Sequence, residues 1–356
     1  MISTGQKIAI QRVGTSRLPS TDLMQVTFGR TFSDHMFVME HRDGSWQQPR
    51  IVPYEDIRMS PASAVLHYAQ SIFEGLKAYR APNGKVSIFR PQANIARMNR
   101  SAERMCMPTI PEDLFMEALL ELVDLDKDWI PPGDDASLYI RPFMMAADSY
   151  IGIRPSDTYR FIIFTCPVRS YYAEPVNVEI ETTYSRAFPG GTGEAKCAGN
   201  YGAALYPLKK AQERGIHQMI WTDALEHKYI EESGTMNVFF RIGDKLVTPE
   251  TAGTILHGVT RDSIISLARH LNVPIEVRRV SVEEVVEAGR KGLLNDAFGA
   301  GTAATIAPIR SITYQGEVFM LPPVEERTTS NQLATALDDI RRGRVPDPFG
   351  WVVPVN

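Results

Sequence analysis

At 356 residues, with 44% hydrophobic and 22% charged side chains, the chain has ample apolar material for a large core and length enough for two domains. Its 38 basic and 42 acidic residues give a net charge of -4 with no dense Lys/Arg block, which argues against a nucleic-acid partner. Three widely spaced cysteines form neither a disulfide framework nor a CxxC pair, and the seven histidines lack HExxH-like spacing, so no metal is expected. The longest apolar runs, such as 161–164, are too short to cross a bilayer, and the opening Met1-Ile2-Ser3-Thr4-Gly5 is unlike a signal peptide. A cytoplasmic protein with no membrane segment is expected.

In chain order, Asp43-Gly44 follows an extended segment at 36–40, and Asn83-Gly84 separates 76–79 from 86–89. Such dipeptides suit primed hairpin turns, whose central residues need positive φ. Pro91 opens a helical segment in which Ile95, Met98, Ala102 and Met105 recur with helical spacing, and a second helix is predicted over 112–125. The apolar run 160–168 reads as a buried strand. Helices follow at 201–215, 260–271, 282–291 and 330–342, while Gly243-Asp244 and Gln315-Gly316 mark two further hairpins, 238–242 with 245–248 and 312–314 with 317–321. So much antiparallel pairing argues against a Rossmann-type sheet. The expected fold class is α+β, with mixed, largely antiparallel sheets and flanking helices. A small domain over 1–168, a linker at 169–175 and a large domain over 176–356 are expected.

Four segments carry chemistry. Lys196 stands in Gly190-Gly191-Thr192-Gly193-Glu194-Ala195-Lys196-Cys197-Ala198-Gly199-Asn200-Tyr201-Gly202, where glycines let the backbone approach a ligand. An amine held there can form an imine if its surroundings leave it neutral, although a lone loop lysine is more often simply solvated. The loop lacks the GKS or GKT ending of a P-loop. In Tyr229-Ile230-Glu231-Glu232-Ser233-Gly234-Thr235-Met236-Asn237, two acids precede a turn; they are either edge carboxylates facing water or a partner for a pyridine nitrogen. Leu256-His257-Gly258-Val259-Thr260-Arg261 leads a glycine turn into a helix start able to bind phosphate, with Thr260 a plausible N-cap. Phe298-Gly299-Ala300-Gly301-Thr302-Ala303-Ala304 is a second small-residue turn that can offer N–H groups to an anion.

Together and in this order, these segments resemble the branched-chain amino acid aminotransferases, pyridoxal phosphate enzymes of fold type IV. The likeness runs from Phe28-Gly29-Arg30-Thr31 to Trp351-Val352-Val353-Pro354, and its most specific pieces include Phe73-Glu74-Gly75-Leu76-Lys77-Ala78 and Leu138-Tyr139-Ile140-Arg141-Pro142. The resemblance implies a two-domain enzyme whose larger C-terminal domain carries Lys196 as the Schiff-base lysine. It implies that Tyr201 bonds the cofactor's phenolate oxygen and that Glu232 pairs with the ring nitrogen. Arg97, the Val259 and Thr260 N–H groups and Thr302 would hold the phosphate. Arg97 shares a helix face with Arg100 and Arg104, a stripe that spacing alone reads as solvated.

On the substrate side, the resemblance gives the α-carboxylate to Thr235 and Ala303, and the side-chain pocket to Phe28, Tyr68, Phe73, Tyr139 and Tyr171, with Arg141 assisting a second carboxylate. Tyr68 and Tyr139 would come from a partner subunit, implying a homodimer. Ala304 and Ala307 stand where some members carry a redox-sensitive CxxC, so thiol regulation there is excluded. The implied activity is ping-pong transfer of an amino group between L-leucine, L-isoleucine or L-valine and 2-oxoglutarate. Rival readings are a D-amino acid aminotransferase, an aminodeoxychorismate lyase, and a non-catalytic protein that binds phosphometabolites on the same glycine turns.

Overall fold

A computed structural model describes residues 7–169 and 174–355 of the chain. Two compact units emerge: Met1–Tyr171 with Ala195–Gly199 and Ile340–Asn356, and Tyr172–Glu194 with Asn200–Asp339. Two short segments depart from a strictly sequential division. The segment with Lys196 belongs to the first unit because it lies along the strand Ser71–Phe73, where Ile72 bridges Cys197. The C-terminal stretch returns because its strand Val352–Pro354 pairs antiparallel with Val86–Phe89.

The first unit is built on a nine-stranded sheet. Its order is Ala9–Ile10, Ser45–Pro53, His35–Arg42, Tyr159–Val168, Ser137–Ala146, Leu76–Arg80, Val86–Phe89 and Val352–Pro354, with Ser71–Phe73 pairing off the path to Ser137–Ala146. The Asp43-Gly44 and Asn83-Gly84 turns close hairpins as predicted, with Asp43 at φ 51° and Gly84 at φ 82°. Helices Pro91–Arg104 and Glu112–Asp126 bury Ile95, Met98, Ala102, Phe115, Leu119 and Leu122 with Phe37, Phe161 and Leu138 of the sheet. Full burial of each large apolar side chain contributes roughly 1.5–3 kcal/mol, so these two stripes fix the helices on the sheet.

The second unit has its own nine-stranded sheet. The strands run Ile230–Ser233, Gln218–Thr222, Val176–Ile180, Thr305–Tyr314, Leu294–Gly301, Met236–Ile242, Lys245–Thr248 and Ile275–Val277, and Glu317–Met320 joins Thr305–Tyr314. Three of these pairings are parallel and the others antiparallel. Helix Val282–Arg290 buries Val282, Val285, Val286 and Ala288 against this sheet's core; its N-cap Ser281 accepts the Glu284 N–H. The segment predicted as a helix over 201–215 is a short turn at Gly199–Gly202 followed by a helix at Leu205–Gln212. Among the described residues no helix is long and apolar enough to cross a membrane.

Candidate active site

In the first unit, the backbone of Lys196 is fixed on both sides. Its carbonyl accepts the Phe73 N–H at 3.0 Å, and its own N–H donates to Ser101 Oγ at 2.9 Å. Ser101 in turn donates its hydroxyl to the carbonyl of Arg97, one helical turn earlier, at 3.1 Å. The Lys196 ammonium lies 4.8 Å from the centre of the Phe73 ring, and the Arg141 guanidinium lies 4.6 Å from the same ring. Arg141 also donates to the Tyr139 hydroxyl at 2.8 Å, while Phe28 meets the Tyr139 ring edge-on at 5.0 Å. A Cβ at Gly75 would stand 2.2 Å from the Tyr139 oxygen, so the glycine of Phe73-Glu74-Gly75 is what admits that hydroxyl. Cys166 packs beside Tyr139, and burial pushes its thiol up to about 11.

Arg97 is buried, whereas Arg100 and Arg104 on the same helix are exposed. Its guanidinium meets Glu74 through two bonds, Nε to Oε1 at 2.8 Å and Nη2 to Oε2 at 2.7 Å. Glu74 is itself fully buried, so this is a paired interior charge with good fork geometry.

In the second unit, Glu232 is buried at the end of the strand Ile230–Ser233. Its Oε1 accepts the Leu256 N–H at 2.7 Å, and Arg186 Nε lies 3.2 Å from its Oε2. Asn237 Nδ2 donates to the Leu256 carbonyl at 3.0 Å. The chain then turns at Gly258, the N-cap of helix Val259–His270, where a Cβ would lie 1.9 Å from Asn237 Oδ1. Thr260 is therefore inside the first turn, not the cap: the close approach to Asn237 requires glycine at the boundary. Asn237 pairs with Ala300 across the sheet, so the turn at Thr235 and the turn at Thr302-Ala303 lie at the same end of adjacent strands. Cβ atoms at Gly299 or Gly301 would come within 2.6 Å or 3.0 Å of the Met236 side chain. Tyr201 is half-buried in the Gly199–Gly202 turn, and Thr192 and Asn200 clasp each other by bonds of 2.7 Å and 2.8 Å.

The first unit thus gathers Lys196, Phe73, Arg141, Tyr139 and Phe28, with Arg97 one residue contact away through Ser101. Tyr139, expected from a partner subunit, touches Phe28 and Arg141 of its own chain, and its strand pairs with Leu76–Arg80. Tyr68 is exposed at the end of helix Ala64–Tyr68. Tyr171 lies outside the described residues. Glu231, read with Glu232 as either a water-facing carboxylate or a partner for a pyridine nitrogen, is buried and accepts the Thr254 hydroxyl at 2.5 Å. Sequence reasoning gave no role to Glu74, Arg186 or Asn237. Glu74 and Asn237 stood inside quoted motifs, but Arg186 precedes the glycine loop with no spacing signal.

The fold and these residues define a class. The family model for amino-transferase class IV matches residues 71–312, and the chain belongs to that family. Among its relatives, branched-chain-amino-acid aminotransferase 2 of Bacillus subtilis is 43% identical over 99% of this chain and 98% of its own. The branched-chain-amino-acid aminotransferase of Mycolicibacterium smegmatis is 38% identical, over 97% of this chain and 98% of its own. The solved branched-chain amino acid aminotransferase of Escherichia coli superposes with a TM-score of 0.73 at 27% identity, covering 90% of this chain and 99% of that one.

The family's cofactor is pyridoxal phosphate, and the residues of each unit suit it. The first offers an amine on an anchored backbone. The second offers a buried carboxylate, held by Leu256 and Arg186, able to accept from a protonated ring nitrogen, and a helix N-terminus capped by a glycine, matched to a phosphate.

Proposed function

We infer that this chain is a branched-chain amino acid transaminase, moving the α-amino group of L-leucine, L-isoleucine or L-valine to 2-oxoglutarate and releasing the branched 2-oxo acid and L-glutamate. The end-to-end likeness to the Bacillus subtilis enzyme, 43% identical over 99% of the chain, carries this reading. Pyridoxal phosphate, when bound, supplies the electron sink for the carbanion at the substrate's α-carbon. Lys196 anchors the cofactor covalently at rest, and its Nζ then serves as the base that takes the α-carbon proton. Glu232 keeps a proton on the ring nitrogen, and Tyr201 donates to the phenolate oxygen. Val259 and Thr260 offer backbone N–H groups to the phosphate, and Thr302 and Arg97 are assigned to it as well.

Thr235 and Ala303 receive the α-carboxylate. Phe28, Phe73 and Tyr139 present apolar faces to a branched side chain, and Arg141, already drawn to Tyr139, meets the second carboxylate of 2-oxoglutarate or glutamate. The exposed Tyr68 is free to meet a neighbouring subunit, and a cytoplasmic homodimer is the working form this reading assigns. The deciding experiment measures kcat/KM for L-leucine with 2-oxoglutarate against D-alanine and against pyruvate release. A preference for D-alanine would reassign the enzyme within fold type IV, and pyruvate release would make it a lyase.

A further inference from the structure

Glu231 sits one residue before Glu232 on the same strand, at the break in register where Trp221 pairs with Glu232 and Thr222 with Ile230, so strict alternation does not hold there. Glu231 is not solvated: it is 6% exposed and spends its Oε1 on the Thr254 hydroxyl. Thr254 is a junction. Its carbonyl accepts Arg186 Nη2, and Arg186 Nε is the group lying 3.2 Å from Glu232 Oε2. Two residues further on, the Leu256 N–H donates to Glu232 Oε1 at 2.7 Å. The loop through Thr254 therefore reaches both oxygens of Glu232, one through Arg186 and one through its own backbone.

This loop is pinned at close range. Arg261 donates to the Pro249 carbonyl at 2.7 Å, Asn237 to the Leu256 carbonyl at 3.0 Å, and a Cβ on Gly193 would stand 2.5 Å from Thr254 O. Beside these pins, the Thr254 hydroxyl donates to the buried Glu231 carboxyl and also reaches the Ala252 carbonyl at 3.4 Å.

We propose that Glu231 is a positioning residue for the Glu232 carboxylate, acting through Thr254, which sets both Arg186 and the Leu256 N–H. The inference rests on the reading that Glu232 meets the cofactor's ring nitrogen. The tie does not need a charge: a neutral carboxyl keeps a carbonyl oxygen for Thr254, and burial favours that neutral form despite the Thr254 bond and the Arg186 cation. Glutamine at 231 preserves the acceptor, whereas alanine removes it.

The test is calorimetric titration of the apoprotein with pyridoxamine 5′-phosphate, with thermal melts confirming that each variant is folded. Glu231→Ala and Thr254→Val are each expected to weaken binding about tenfold, and Glu231→Gln to stay within about twofold of the parent. On a Glu232→Gln background, Glu231→Ala and Thr254→Val should add little, since the group they position is already changed. Equal penalties in both backgrounds, or parent-like binding by Glu231→Ala, overturn the proposal while leaving the role of Glu232 standing. Parent-like binding by Glu232→Gln overturns the role of Glu232 itself, and the proposal with it. Should Glu231→Ala fail to fold, Thr254→Val, which keeps the side-chain shape, runs the same cycle with the same outcomes.

Discussion

The backbone of Lys196 is anchored by bonds to Phe73 and Ser101, and its amine lies 4.8 Å from the centre of the Phe73 ring. Lys196→Ala should therefore keep the fold and lose both turnover and the covalent cofactor. Borohydride reduction followed by peptide mass spectrometry checks this; a cofactor adduct on Lys209 or Lys210 in the variant would show the wrong lysine had been chosen. Glu231 gives a prediction in pH. Its carboxyl is held above the ordinary glutamate range, first by burial, so folding takes up a proton between the ordinary and the raised value. Stability linked to that proton is whole below the ordinary glutamate pKa and is lost as pH rises through the raised one. Glu231→Gln removes the loss. Urea unfolding of the apoprotein should show the variant gaining on the parent as pH rises above the ordinary glutamate pKa; a difference that does not change with pH would mean Glu231 titrates normally.

At the scale of elements, the helix Val259–His270 shows how a boundary is set. Propensity favours a threonine cap, but the approach of Asn237 Oδ1 to Gly258 leaves no room for a side chain there, and the helix begins one residue before Thr260. Gly258→Ala must push Asn237 aside, and with it the Leu256 carbonyl that Asn237 holds. We expect at least about tenfold weaker binding of pyridoxal phosphate to the apoprotein, from a disturbed helix N-terminus and a displaced Leu256. Substitution at Gly253, where φ is 69° and nothing lies within 4 Å, provides a strained but uncrowded comparison. Because Gly258 is at φ -66°, where alanine is not strained, a loss confined to Gly253 would show that the contact with Asn237 yields without cost.

For the whole molecule, the consequence is donor selection. An aromatic wall rewards apolar bulk at about 0.8 kcal/mol per methylene, so L-leucine should exceed L-alanine by a large factor in kcat/KM. L-aspartate should also be poor, because its shorter side chain leaves a carboxylate among apolar groups without reaching a cation. Comparing these donors at one 2-oxoglutarate concentration tests the point; L-aspartate overtaking L-leucine would remove the branched-chain assignment and leave the cofactor chemistry in place.

The sequence by itself determined what depends on neighbours along the chain. Hairpins at Asp43-Gly44, Asn83-Gly84, Gly243-Asp244 and Gln315-Gly316 follow from the positive φ that such turns need, and the buried face of Pro91–Arg104 follows from the spacing of Ile95, Met98 and Ala102. The motif order also placed the chain in its aminotransferase family. Tertiary structure decided what depends on residues far apart in sequence. It buried Arg97 on Glu74 while leaving Arg100 and Arg104 in water, because only Arg97 faces the strand region that carries Glu74. It put Lys196 with the first unit through its bond to Phe73, and it turned Glu231 from a surface acid into a buried one through Thr254. Periodicity reports which face of an element is apolar; it carries no information on which distant backbone will arrive to meet a polar group, and burial of that group is settled only by the arrival.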